Sequence, residues 1–283
     1  PCPVRSSTAL DPARLRLHLA GMLPAIFVSH GSPMLAIEDA EARRFLQSLP
    51  DLLPERPKAI LMVSAHWERI RPTVNAPPRN ETIHDFGGFP QELFDIIYPA
   101  PPSESLARRV ADLLSAGGLP TDIDTRRGLD HGAWAPLIVA WPHADIPVVQ
   151  LSVQTRLGPE HHYRLGQLLA PLRDEGVLIV GSGNFTHDLS SFRISGGQID
   201  APEQDWVHVF AEWISSALKE GRITDLLNYR SLAPEAAHNH PTEEHLLPLY
   251  VALGAGPARV DHLHTSTTYG ILRMDAFAFG GVN

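Results

Sequence analysis

The chain has one cysteine, Cys2, among its 283 residues, which excludes an internal disulfide and leaves no thiolate cluster to compete for a metal. No run of about eighteen apolar residues occurs, so no segment is long enough to span a bilayer as a helix. Positive charge is also short: 23 Lys and Arg face 32 Asp and Glu, for a formal net charge of −9. That balance argues against nucleic acid or an anionic membrane as partner, since both reward a surplus of cations. The first twenty residues lack the apolar core of a secretory signal, and the expected location is a reducing cytoplasm. The G-x-S-x-G elbow of serine hydrolases is missing, and Ser29, Ser64 and Ser182 show no triad order. Gly181-Ser182-Gly183-Asn184 has neither the full dinucleotide fingerprint nor a P-loop lysine.

What the chain does have is an ordinary apolar share, 43% with 19% charged residues, enough for one large core, and an unusual 15 histidines. Two of them close the same kind of phrase. Ala25, Ile26, Phe27 and Val28 run without alternation, as in a strand covered on both faces, and then meet His30, Gly31 and Pro33. Residues 59–67 repeat the pattern, an apolar strand running through Ser64 to His66. Between them, Ala42, Phe45 and Leu49 sit at helical spacing within Glu38 to Leu49. If that helix joins two parallel strands, both histidines emerge at the carboxyl edge of one sheet, where open α/β sheets place their ligands.

The rest of the chain continues the alternation. Residues 71–103 are rich in Pro and Gly and read as a functional loop or lid. Leu106, Val110, Leu113 and Leu114 mark a helix closed by Gly117 and Gly118, and Thr121 to Thr125 a short strand. An apolar helix from Pro136 to Ala140 follows Gly128 to Trp134, then a strand from Ile146 to Val153 and a helix over about 161–174. A third buried strand, Val177 to Gly181, leads through a glycine turn to His187. Trp206, Val209, Phe210, Trp213, Ile214, Ala217 and Leu218 define the strongest helix face. Thr242 suits a cap for a helix that begins near His245, keeping Pro248 in its first turn, and a strand or two closes the chain. Asp11-Pro12 is a good helix start inside an N-terminal extension, residues 1–21. Residues 22–283 then form one α/β domain.

His30, His66 and a third residue from elsewhere are expected to bind one divalent metal at the sheet edge. Three neutral imidazoles suit zinc, iron or copper, and open positions make such a site catalytic. His131 and His187, each in a glycine-flanked turn, share the context. His18, His143, His161, His162, His208, His262 and His264 lack it and read as ordinary core or surface residues. Asp130 has two readings, a helix cap or part of a functional turn with His131.

Ser29 to Met34, Ser64 to Trp67, Thr82 to Pro90 with Tyr98 to Pro101, Asp130 to Trp134, Gly181 to Leu189 and Pro241 to Leu249 together resemble the class III extradiol ring-cleavage dioxygenases, in the branch similar to DOPA 4,5-dioxygenases. The resemblance covers about residues 22–280. It implies a three-layer αβα domain with a central, mostly parallel or mixed sheet and a mononuclear non-haem Fe(II) on His30, His66 and His245. It implies Zn(II) as another occupant of the same site. His131 and His187 would stand beside the metal as acid/base residues, His187 sometimes close enough to count as a ligand. Many relatives carry a carboxylate where His245 stands, and Glu243 and Glu244 adjoin it. Substrates would be a catechol and O2, with no nucleic acid or membrane and a monomer or small homo-oligomer. Residues 82–102, with Phe86, Phe89 and Tyr98, are expected beside the pocket, and His84, Phe89 and Asp130 as substrate contacts. Two other functions fit the same residues: a zinc hydrolase using Glu243 or Glu244 as base, and a Memo-type interaction protein.

Overall fold

Alternate residues of the first strand, β1 (Ala25–Ser29), face two different hydrophobic layers, and this explains its unbroken apolar run. The computed structural model describes residues 22–256 and 259–280, with the side chains of 194 and 195 left aside. The expected extension over residues 1–21 lies outside the described residues. The remaining strands are β2 (Ala59–Glu68), β3 (Thr73–Asn75), β4 (Asp122–Asp124), β5 (Val148–Val153), β6 (Val177–Gly183), β7 (Val260–His264), β8 (Thr267–Thr268), β9 (Leu272–Arg273) and β10 (Ala276–Phe279). Eight of them form one sheet in the order β4-β3-β5-β2-β6-β1-β10-β7, while β8 and β9 pair separately. The four central strands are parallel, and antiparallel pairs flank them at β3/β5 and β1/β10. The sheet is therefore mixed around a parallel centre, so β1, β2, β5 and β6 all end at one edge.

The helices are α1 (Glu41–Leu52), α2 (Gln91–Phe94), α3 (Glu104–Ala116), α4 (His131–Ala140), α5 (Gly158–Leu169), α6 (Asp205–Lys219), α7 (Ile223–Leu227), α8 (Tyr229–Leu232), α9 (Ala236–Asn239) and α10 (Leu247–Ala255). Phe27, Leu61, Val149 and Ile179 pack with α3, α5, α6 and α10. Ile26, Met62, Val148 and Leu178 pack with α1 and α4 on the opposite face. Each such side chain, fully buried, contributes about 1.5–3 kcal/mol of transfer free energy. α10 is apolar all round because it is enclosed all round, between the sheet and α5.

Several boundaries differ from the sequence reading. α4 starts at His131, five residues before the expected Pro136, which lies inside the helix. On α6, Val209 is 42% exposed while Val207 and Ala211 are buried, so the packed face is rotated from the expected one. α10 starts at Leu247, leaving His245 in the preceding turn. The stretch 71–103 contains β3 and α2, and Thr82 bridges Leu129, which ties the loop beside α4.

Candidate metal centre and its cavity

His30 is the first residue beyond β1, and its backbone N–H donates to Gly183 O at 2.8 Å. His66 lies on β2 just past Ser64, the last residue paired with β6. β6 runs between these two strands, so the two histidines flank its end. The third histidine, His245, is brought over that end by the turn before α10. Two glycines of β6 make room: a Cβ on Gly181 would stand 2.2 Å from Pro248 O, and one on Gly183 2.0 Å from His245 O. That close approach, rather than any phosphate loop, accounts for the glycines of the 181–184 segment. Asn184 N–H then fixes the turn by donating to His245 O at 2.9 Å.

The three Nε2 atoms converge. His66 Nε2 is 3.0 Å from His30 Nε2 and 3.3 Å from His245 Nε2. What surrounds each ring decides its tautomer. Pro136 has no N–H to give Gly132 O four residues back, and the freed carbonyl accepts the Ser182 hydroxyl at 2.5 Å. With its proton committed, Ser182 Oγ accepts at 3.0 Å from His30, whose Nδ1 must carry the hydrogen. His245 Nδ1 donates to Glu244 Oε1 at 3.0 Å, and His66 Nδ1 faces Asp85 Oδ2 at 3.5 Å. On His30 and His245 Nε2 is therefore the bare nitrogen, and with the His66 proton on Nδ1, facing Asp85, the short contacts set lone pair against lone pair. A shared cation would resolve that arrangement, and outer partners of this kind orient metal-ligating imidazoles.

The spacing agrees. Nitrogens at about 2.0–2.1 Å from a divalent metal lie roughly 2.9 Å apart at right angles and roughly 3.4 Å apart at a tetrahedral angle, and the two contacts that His66 makes fall between. Burial, followed by the neighbouring imidazoles, holds His30 and His245 well below the usual histidine range. His66 is lowered to about 4, first by burial and then by His131. Protons are therefore weak competitors for these nitrogens at neutral pH.

His131 and His187 stand beside this trio. The His131 ring centroid is 4.0 Å from that of His66, and its Nδ1 and backbone N–H both donate to Asp85 Oδ1, at 2.9 and 3.0 Å. Asp85 thus holds two rings with one carboxylate. Burial alone would raise its pKa, but the His131 hydrogen bond brings it down to about 2. Asp85 lies in the Pro- and Gly-rich loop, and only contacts across 46 positions mark it as part of the site. The His187 ring stacks on His245 at 3.4 Å between centroids, and burial lowers it to about 4. Ligand-grade atoms group as His30, His66 and His131, and as His187, Glu244 and His245.

A cavity of about 460 Å³ opens next to these rings. His66, His131 and His187 line it together with Phe86 and Phe89 from the 82–102 loop. Gly31 to Met34, Leu189, Phe192, Tyr269 and Leu272 complete the wall. Three expected contacts lie elsewhere. His84 Nε2–H donates to Ile96 O at 3.0 Å, and the ring packs against Trp134. Tyr98 is buried with its hydroxyl on Trp141 O. Asp130 is wholly buried, and Ser64, Arg127 and Gln150 all donate to its carboxylate. It makes no side-chain cap to α4 and does not reach the cavity. Glu243 accepts from Tyr229 and Glu244 from Thr242 and His245, so both carboxylates next to the site are already engaged.

Comparison with known proteins agrees with this geometry. The family described as the catalytic LigB subunit of aromatic ring-opening dioxygenase matches residues 24–275, and the chain belongs to that family of extradiol ring-cleaving enzymes. It is similar to the 4,5-DOPA dioxygenase extradiol of Beta vulgaris, with 45% identity over 89% of this chain and 95% of that protein. The protein of the same name from Escherichia coli strain K12 is 43% identical over 82% of this chain and 85% of its own length. A crystal structure of an uncharacterized Escherichia coli K12 protein superposes with a TM-score of 0.75 at 34% identity, covering 91% of this chain and all of that one. The hydrolase and interaction-protein readings have no such support. No described helix is long and apolar enough to cross a membrane.

Proposed function

We propose that residues 22–283 form a catalytic domain that opens the ring of a catechol beside its two hydroxyl groups, consuming O2, with Fe(II) held by His30, His66 and His245. Zn(II) suits the same three nitrogens. The observation that carries this reading is the set of three bare Nε2 atoms beside an aromatic-walled cavity. Bound iron would supply the redox chemistry that lets O2 react with a diol.

The chain's own groups supply the rest. His131, with Nδ1–H held by Asp85, keeps Nε2 as its acceptor and takes the proton of one catechol hydroxyl. The proton held by His131 is returned to the product as the ring opens, with His187, on the same cavity wall and held flat against His245, as the group that relays it. Phe86 and Phe89 meet edge to face at 5.4 Å and offer ring faces to a planar substrate while excluding water. The relatives' name makes DOPA the first catechol to offer. Protein reconstituted anaerobically with Fe(II), then exposed to O2 and a panel of substituted catechols, should consume O2 and form a yellow ring-opened product. Full iron loading with no product from any catechol would refute the reading.

A further inference from the structure

We infer that the ion pair of Arg127 with Asp130 is a positioning device for His66, holding the backbone of that ligand where the sheet no longer does. The inference rests on the metal-centre part of the reading above and not on ring opening. β2 pairs with β6 as far as Ser64 and with β5 as far as Val63, then meets β5 again only at Glu68. Among the described residues, no neighbouring strand pairs in register with Ala65, His66 or Trp67. A ligand on a strand that has left its ladder needs another tether, because a small displacement of its nitrogen weakens coordination.

Both backbone groups of His66 lead to Asp130. The His66 N–H donates to Ser64 Oγ at 3.2 Å, and Ser64 commits its own proton to Asp130 Oδ1 at 2.6 Å, which leaves Oγ as an acceptor. The His66 carbonyl accepts from Arg127 Nη2 at 3.3 Å, and the same nitrogen reaches Asp130 Oδ2 at 2.9 Å. Gln150 supplies a third donor to this wholly buried carboxylate. Arg127 is itself fixed: its guanidinium lies 5.2 Å over the ring of Trp67, and its backbone N–H donates to Asp124 Oδ1 at 3.0 Å. Asp130 is anchored in turn, since its carbonyl accepts the Ala133 and Trp134 N–H groups of α4. Gly132 lets that helix start come close, because a Cβ there would stand 2.4 Å from Ser64 Oγ and 3.0 Å from His66 Cδ2. The pair therefore locks His66 to the helix whose first residue is His131.

Zn(II) affinity, measured by competition with a chelator, is the test, with the Tm of the metal-free protein measured alongside. Asp130→Asn keeps the shape but removes the charge that orders three donors, and Arg127→Gln removes the fork that joins the His66 carbonyl to Asp130. Each should lower Zn(II) affinity about 10- to 100-fold, and so should Ser64→Ala, which takes away the acceptor of the His66 N–H. The Co(II)-loaded variants should show an altered visible spectrum, a signature of displaced ligation that lost stability alone does not produce. Arg109→Gln, which breaks an exposed ion pair with Glu175, is the control and should change neither. Unchanged affinity and spectrum in Arg127→Gln and Ser64→Ala overturn the inference, even if Asp130→Asn fails to fold or Tm falls. His30→Ala judges the underlying reading: Zn(II) binding that survives it refutes the metal centre and the inference together. Binding lost in His30→Ala but intact in the Arg127 and Ser64 variants leaves the centre standing and this inference fallen.

Discussion

Replacing Gly183 by alanine should damage the site from a position that touches neither metal nor substrate. The added Cβ would lie 2.0 Å from His245 O, about 1.4 Å short of the 3.4 Å where ordinary contact begins. No left-handed backbone is involved at this strand residue, so the effect is steric. The carbonyl it meets is the one that accepts Asn184 N–H, and the turn cannot retreat without stretching that bond. Overpacking costs about 1–3 kcal/mol and the hydrogen bond about 1 kcal/mol, together about 2–4 kcal/mol. At roughly 2–4 °C per kcal/mol for a chain of this size, Tm should fall by about 5–15 °C. The same shift carries His245 Nε2 out of reach of the other two nitrogens, so metal stoichiometry should fall with it. Gly87→Ala, whose Cβ would meet nothing within 4 Å, is the control for stability. Thermal unfolding and metal analysis on both variants decide the matter. Gly183→Ala with an unchanged Tm and full metal would show that the clamp on His245 does not exist.

His30→Ala, His66→Ala and His245→Ala should each sharply lower bound metal; full occupancy in His245→Ala would transfer the third position to Glu244, since Glu243 is turned to Tyr229. His187→Ala should retain metal while single-turnover ring opening slows roughly a hundred- to ten-thousand-fold, and loss of metal would make it a ligand instead. Asp85→Asn places an amide against two ring N–H donors and should weaken metal binding by about 10- to 100-fold in competition with a chelator; unchanged affinity would reduce Asp85 to a turn residue. Metal-free protein should lose stability as pH falls from about 6.5 towards 4, because His66 and His187 stay neutral in the fold to about 4 but bind protons near 6.5 once unfolded. A Tm that rises on acidification over this window would contradict the buried, neutral rings.

Strand ends are local features, and the sequence alone marked them: the unbroken apolar runs before His30 and His66 suit strands of a sheet covered on both faces. The α/β class follows from the same short-range rules, whereas the turns expected at His131 and before His187 gave way to the start of α4 and to a β6 that runs on to Gly183. The resemblance of the short segments, rather than spacing, supplied His245 as third ligand. Convergence was beyond the sequence, because His66 and His245 are 179 positions apart and meet only when α10 closes over β6. Asp85 was equally hidden, as a carboxylate in a Pro- and Gly-rich loop has the same local signature whether it fixes a turn or holds two imidazoles. Asp130 shows the opposite limit: beside His131 in the chain, it turns inward to Ser64, Arg127 and Gln150. A buried carboxylate goes where donors can satisfy it, and only the tertiary structure decides where those donors are.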